Sequence, residues 1–551
     1  MGSFAEFTSV LENVKSTSSK NEKVRIIAEY LKGLDEEDSL LAARFATGRP
    51  SEKGSVDETQ VGYSTIFDVI EEITGLTSKE MSKIYLKYGD LGDLAWEVLG
   101  EKKEAALFSS QLTIREVGEA FEKISKAKGK GSSSIKRNHV KSLLLRGSPV
   151  EARYIVKILT KEMRIGLVDG LVEEAIARAY SLDHRLVREA HLLLGDIGLL
   201  ARRASAGTIG EARLQKLKPT NFMLAESMST STEIAEYFGK VVYAEYKYDG
   251  VRAQVHKSGE EVRIFSRRLE EIAKSFPEVC RESSKINHDF IIDGEIVPFK
   301  DGRPLPFQLL QRRLRRIEGF EEAASRTPVT YFCFDILLLD GNELYRRPLS
   351  ERRKFLSNSI QGTGLLLAES RAIMTSEDLE ATFRASRSSG YEGLVVKDPD
   401  GPYAPGKRGK WWVKLKEELD TLDVVIVGAE YGHGKRAGVI SDYTFAVRDG
   451  AGLKVIGKAY SGVTDKEIEE LTAKIKEITI KDHGYFREVE PSIVLEVAFD
   501  SIQQSDRHDS GFALRFPRIK RIRYDKSVEE IDAIERVKAV FTSQKVKLEE
   551  R

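Results

Sequence analysis

The sequence predicts three domains in series: an all-helical first part, an α+β middle and a small β-barrel at the end. Three observations carry this reading. Apolar residues recur at helical spacing, with capping-box starts, through about residue 215. After Lys218-Pro-Thr220 the texture turns to short strands with interleaved helices. From Thr421 onward strands dominate, interrupted by one helix. Boundaries are expected at 1–215, 216–419 and 420–551, and 551 residues suit about three or four domains of ordinary size.

Composition narrows the class. A hydrophobic share of 41% and a charged share of 32% describe a soluble, folded protein. No apolar run is long enough to cross a bilayer, and MGSFAEFTSV lacks the basic start and apolar core of a secretory leader. A myristoylation pattern at Gly2 fails because Glu6 stands where serine or threonine is needed. The two cysteines, Cys280 and Cys333, are far apart, which excludes a disulfide framework or zinc knuckle and fits a reducing cytoplasm. Lys+Arg and Asp+Glu both number 87, so any affinity for nucleic acid must come from local clustering of charge. The abundance of Lys, Arg and Glu with few Cys and Met is a weak pointer to a thermophile.

In the first part, Thr113-Ile-Arg-Glu116 is a capping-box start for a helix carrying Ile114, Val117, Phe121 and Ile124 at helical spacing. Further amphipathic helices are expected over 23–34, 78–88, 149–163 and 172–180. Lys126-Ala-Lys-Gly-Lys-Gly-Ser-Ser-Ser-Ile-Lys-Arg137 reads as a flexible basic loop with no acid. Lys128, Lys130, Lys136 and Arg137 are its candidates for phosphate contact, a role that needs cations more than fixed geometry. A solvated linker is the equal alternative.

The middle part centres on Glu245-Tyr-Lys-Tyr-Asp-Gly-Val-Arg252, which reads as two strands joined at an Asp249-Gly250 turn, with Lys247 at a strand end. Downstream come Ile264-Phe-Ser-Arg-Arg268, Phe290-Ile-Ile-Asp-Gly-Glu-Ile-Val297, Tyr331-Phe-Cys-Phe-Asp-Ile-Leu-Leu338 and Glu392-Gly-Leu-Val-Val-Lys397. Trp411-Trp-Val-Lys-Leu-Lys416 closes the series, with Lys414 and Lys416 on one face. A free lysine has a pKa of about 10.4, so roughly one molecule in a few thousand carries the reactive neutral amine at neutral pH. Cations such as Arg252, Arg267, Lys414 and Lys416 would depress that value and pair phosphates. Glu295 and Glu392 are candidates to hold a divalent metal, Phe334 to face a base, and Glu245 to accept from an exocyclic amine. Singly, each is more economically a core or surface residue. The ordered set is far harder to dismiss.

In the last part, strands are expected around 423–427, 443–447, 453–457 and 493–499, with a helix from Thr464-Asp-Lys-Glu467 to about 478. Strands around one inserted helix suit a barrel of the oligonucleotide-binding type. Gly432-His-Gly-Lys-Arg436 lacks a full phosphate-loop pattern and reads as a basic turn. Arg515-Phe-Pro-Arg-Ile-Lys-Arg-Ile-Arg523 reads as a basic strand, and Ser527-Val-Glu-Glu530 as the cap of a terminal helix.

The ordered series resembles the covalent nucleotidyltransferases, specifically the ATP-dependent DNA ligases of archaeal and eukaryotic type. Lys247-Tyr-Asp-Gly250 is similar to their Lys-x-Asp-Gly motif, and Asp293-Gly-Glu295, Phe334-Asp335, Glu392-Gly-Leu-Val-Val-Lys397 and Lys414-Leu-Lys416 to the motifs that follow. The resemblance spans nearly the whole chain and implies a helical DNA-binding domain, an adenylation domain and an oligonucleotide-binding barrel. It implies that Lys247 takes AMP from ATP, with Glu245, Arg252, Arg267, Phe334, Arg408, Lys414 and Lys416 around the nucleotide. Glu295 also contacts the nucleotide in this scheme and serves Mg2+ or Mn2+ with Glu392, while Arg518 and Lys520 orient the leaving pyrophosphate. The AMP would pass to the 5′-phosphate of a nick in duplex DNA, and the 3′-hydroxyl would displace it, in replication, repair and recombination. A monomer is expected. A sliding-clamp partner is a further implication, but Ala106-Leu-Phe-Ser-Ser-Gln111 lacks the expected leading Gln and paired aromatics. An RNA ligase or a capping guanylyltransferase resembles the middle part equally well, and the long helical region and Arg515-Phe-Pro-Arg518 argue against both. The absence of a cysteine set argues against NAD-dependent ligases, and the intact Lys247, Glu295, Glu392 and Lys414 against an inert DNA clamp.

Overall fold

A computed structural model describes residues 2–52, 59, 61–100, 111–127, 129, 131–314, 319–416, 420–432, 436 and 438–549. The chain forms two compact units, one of residues 1–387 with 391–416 and one of 388–390 with 417–551.

The first unit begins with twelve helices among the described residues, from Phe4–Ser16 to Ile197–Ser205. Sequence chemistry starts them. Thr77, Thr113 and Ser148 each form a capping box with the glutamate three residues on, a device worth about 1 kcal/mol per helix. Helices expected at 23–34, 78–88, 149–163 and 172–180 are found as Lys20–Lys32, Ser78–Tyr88, Pro149–Leu159 and Asp169–Ala179. Their apolar faces meet in a core where the rings of Phe7 and Phe45 lie 6.3 Å apart and those of Phe45 and Phe121 5.4 Å apart. The expected basic loop is corrected in part. Ser132–Arg146 is a helix that opens with the three serines, so Lys136 and Arg137 are helical. Lys128 and Lys130 lie outside the described residues, as do positions 106–110 of the clamp-like stretch.

Thr220 joins the middle part to the helical region, its hydroxyl donating to the Leu192 carbonyl at 2.5 Å. Its amide donates to Gln254 Oε1 at 3.1 Å, and Gln254 Nε2 returns a bond to its carbonyl at 2.9 Å. The principal strands that follow are β1 Leu224–Met228, β2 Val242–Tyr246, β3 Val251–Ser258, β4 Glu261–Ser266 and β5 Phe290–Lys300. After them come β6 Val329–Leu339, β7 Ser370–Ile373, β8 Gly393–Lys397 and β9 Arg408–Lys416. They build two sheets. One has the order β1-β9-β8-β2-β7; the other runs β4-β3-β5-β6, with three two-residue strands at its margins.

This overturns the expected hairpin at Asp249-Gly250. Strand β2 pairs with β7 and β8, and β3 pairs with β4 and β5, so residues 247–250 cross between sheets. Alternation marks a strand without naming its partner. Gly250 is therefore not a left-handed turn glycine. It is required by close approach, since a Cβ there would lie 2.2 Å from the Ile296 carbonyl oxygen.

In the second unit, the long strand Thr421–Tyr431 pairs with Ile440–Asp449 on one side and, on the other, with Val494–Ala498 and then Phe486–Val489. Leu422, Val424, Ile426, Tyr443 and Phe445 form its core with Ile468, Leu471 and Ile475 of the helix Asp465–Glu477, which starts at the Thr464 capping box. Two expectations need correction. The basic run 515–523 is not one strand, because Phe516 has φ 50° and separates Phe512–Arg515 from Arg518–Ile522. The capping box at Ser527 opens a single 3-10 turn, Val528–Glu530, and the terminal helix is Ile534–Glu549. Residues 433–435 of the basic turn lie outside the described residues.

Candidate active site

Lys247 follows β2 directly and is fixed by two backbone hydrogen bonds. Its amide donates to the Gly393 carbonyl at 2.8 Å, and its carbonyl accepts from the Glu392 amide at 3.0 Å. Gly393 allows this approach: its φ is 146°, and a Cβ would lie 2.3 Å from the Leu415 carbonyl oxygen. The Lys247 ammonium is ion-paired with Glu392, whose same oxygen lies 3.2 Å from Lys416 Nζ.

The cations expected around Lys247 are brought together. Burial lowers the pKa of Lys414, and the positive charges of Lys416, Arg408, Lys247 and Arg267 lower it further. Lys414 is half-buried on the face of β9 that also carries Lys416, while Arg267 and Arg408 are exposed. Such a field favours a polyanion over a neutral ligand.

Glu295 lies on β5, where the Asp293-Gly-Glu sequence produces a bulge between Asp293 and Gly294. Burial pushes its carboxyl up to about 8, against the pull of Lys247 and Arg252 and with added repulsion from Glu392. In Glu392 burial is overruled by the charges of Lys247 and Lys416, and the carboxyl is held well below the usual range. Among the described residues no group of three or more His, Cys, Asp or Glu side chains forms a metal cage. Glu295 is nonetheless a hard oxygen donor whose charge is under-compensated. That suits a divalent cation that takes its other ligands from phosphate and water.

Arg252 is tied back rather than free. Its guanidinium pairs with the fully buried Asp293 at 2.8 Å, donates to the Met223 carbonyl at 2.7 Å and faces the rings of Phe334 and Trp412 at 5.4 Å each. Asp293 also accepts from the Tyr403 hydroxyl at 2.6 Å. Glu245 is only 2% exposed. One of its oxygens lies 2.9 Å from Arg353 and the other 2.5 Å from Lys397.

Sequence reasoning gave Lys397 no role, yet its ammonium lies 4.4 Å from the centre of Phe334 and 4.2 Å from that of Trp412. Burial lowers its pKa, and Glu245 offsets this only in part. Its position at the end of the Glu392–Lys397 segment was a usable signal. Arg353, on the helix Leu349–Ser359, carried none. Asp335 is likewise structural, paired at 2.7 Å with Arg352 where both side chains are fully buried.

Arg518 and Lys520 lie on the strand Arg518–Ile522 of the second unit, both exposed. Arg518 is 3.7 Å from Asp500. Lys136 is half-buried, and Arg137 is bonded to Glu72 at 2.9 Å. Among the described residues, no helix is long and apolar enough to cross a membrane.

Comparison with known proteins matches residues 3–177 to the family described as DNA ligase N terminus, 222–416 to ATP dependent DNA ligase domain, and 436–526 to ATP dependent DNA ligase C terminal region. A probable DNA ligase of Koribacter versatilis is 42% identical over 97% of this chain and 96% of its own. A DNA ligase of Archaeoglobus fulgidus is 36% identical over 98% of this chain and 99% of its own. The solved structure Pmar-Lig_Pre, 17% identical, covers 94% of this chain and 99% of its own with a TM-score of 0.61, a likeness in fold.

Proposed function

The chain belongs to the ATP-dependent DNA ligases, enzymes that seal nicks in duplex DNA, and from that membership we propose that Lys247 is the nucleophile that carries AMP. The observation that carries the assignment is the pinned backbone of Lys247, with its amine beside Glu392 and within the field of Lys414, Lys416, Arg408 and Arg267.

The Lys247 amine attacks the α-phosphorus of ATP, the bond to the bridging oxygen breaks, and pyrophosphate leaves with its electron pair. Glu392, held ionised, fixes the ammonium in place by its ion pair, and the proton that the ammonium must lose before attack passes to solvent. Lys414, Lys416, Arg408 and Arg267 orient and neutralise the phosphates. Phe334 offers its ring to the base and Glu245 an oxygen to its amine, while Arg252, paired with Asp293, packs against the Phe334 ring. Glu295 and Glu392 would hold the divalent metal, Mg2+ or Mn2+, which when bound neutralises charge on the transferring phosphoryl group. Transfer of AMP to the 5′-phosphate and its displacement by the 3′-hydroxyl complete sealing.

The helical region 1–215 is read as the DNA-binding domain, with Lys136 and Arg137 as phosphate contacts. The second unit is read as an oligonucleotide-binding barrel. The pairing of Thr421–Tyr431 with three partner strands supports this, as does the 2.9 Å bond from the Ile519 amide to the Ser461 carbonyl, which ties in the strand Arg518–Ile522. Arg518 and Lys520 handle pyrophosphate. A monomer acting on nicked DNA is the working form.

Incubation with α-labelled ATP and magnesium is expected to leave label on the protein, and Lys247→Ala to abolish it. Label persisting on that variant would refute the assignment.

A further inference from the structure

The face of the nucleophile segment turned away from Lys247 is an aromatic stack. Along an extended chain side chains alternate, so Tyr246 and Tyr248 project opposite to Lys247. Both meet one ring, that of Tyr391. Tyr246 stacks on it at 4.9 Å with planes 21° apart, and Tyr248 meets it edge-on at 5.1 Å and 75°. Tyr248 also stacks on Phe332 at 4.3 Å, and Phe332 meets Phe299 at 5.3 Å, which ties the stack to the second sheet. Tyr391 is itself anchored, with its amide bonded to the Ser386 carbonyl at 3.1 Å and its carbonyl accepting from Arg387 at 2.9 Å.

The partner segment alternates in the same way. Tyr391 faces the aromatic side and Glu392, the next residue, faces the ammonium of Lys247. We propose that Tyr391 is a positioning residue for the adenylation step. Its ring, held between the two neighbours of the nucleophile, sets the distance and angle at which Glu392 meets the Lys247 amine. Tyr391 acts through Glu392 and the two tyrosines. The two backbone bonds at Lys247 fix the strands in register, and the stack packs the side of the segment turned away from the ammonium. This inference rests on Lys247 being the nucleophile.

The test uses the full chain and three variants: Tyr391→Leu, Tyr391→Phe and Lys247→Ala. Single-turnover labelling from α-labelled ATP is followed against ATP concentration and pH, and sealing of a pre-adenylated nick is measured in parallel. Tyr391→Leu is expected to slow labelling roughly tenfold or more at saturating ATP. The concentration for half-maximal rate should stay in place, the pH profile should shift, and sealing of the pre-adenylated nick should be largely retained. Tyr391→Phe, which keeps the ring, should restore the native rate and profile. Native labelling by Tyr391→Leu would overturn the proposal, as would equal loss of both steps with an unshifted pH profile. Label on Lys247→Ala would instead refute the nucleophile assignment.

Discussion

Glu295 and Glu392 face the same lysine from opposite ends of the carboxylate range. Burial drives Glu295 up to about 8, while the charges of Lys247 and Lys416 hold Glu392 low despite its own burial. For Glu295 the folded protein keeps a proton that the unfolded chain releases above its ordinary value of 4.5, so its stabilising contribution is lost as pH rises through about 8. Glu392 behaves oppositely, and its contribution disappears as pH falls below the ordinary carboxylate range. Glu295→Gln should lose less melting temperature than the native protein between about pH 5 and about pH 9. Calorimetry at a series of pH values reads this directly, and parallel curves would show that Glu295 is not buried with its proton. Magnesium added near neutral pH should release protons from the native protein and fewer from the variant.

The Asp335–Arg352 pair has both side chains fully buried. Asp335→Ala leaves the guanidinium without its counter-charge and should destabilise the first unit by about 3–5 kcal/mol. Denaturant unfolding gives the value. A loss below about 1 kcal/mol would mean that solvent reaches the site.

Gly250→Ala forces a methyl group against the Ile296 carbonyl. The segment carrying Lys247 must shift, and self-adenylation should fall roughly a hundredfold. Label incorporation per mole of protein is the measurement. An unchanged rate would show that β5 yields at no cost to the nucleophile.

Glu72 pairs with both Arg137 and Lys141 on the helical region. Lys136→Ala should flatten the salt dependence of binding to nicked DNA by about one unit of slope, and Glu72→Ala should steepen it by releasing two cations. Titrations at several salt concentrations separate the two effects. Slopes that do not move would place the DNA elsewhere.

Arg518→Ala and Lys520→Ala should slow label uptake while leaving the sealing of a pre-adenylated nick largely intact, because pyrophosphate departs only in the first step. Equal loss in both assays would remove their assignment to pyrophosphate.

Much of this site was legible because its chemistry is spelled by short runs. Glu295, Glu392, Lys414 and Lys247 each sit at a strand or strand end that alternation reveals, and the two glutamates and two lysines do converge. What alternation does not encode is pairing. The crossing of 247–250 between sheets was therefore read as a hairpin. Arg353 was missed because a guanidinium on an amphipathic helix looks solvent-facing until the fold turns it onto Glu245. The left-handed Phe516 was missed for a similar reason, since a basic alternating run gives no sign of a break.

The crossing segment also limits how the protein can be altered. Lys247 is bonded to residues 392 and 393 at one end, and Gly250 is pressed on Ile296 at the other, so the chain between the sheets has no slack. Inserting or deleting one residue at Lys247 would exchange the inward and outward sides of the residues that follow it, Tyr248 and Arg252 among them. Point substitutions here are graded, whereas a change of length is all or nothing. A split or permuted version of this enzyme must therefore keep its new termini away from these four positions.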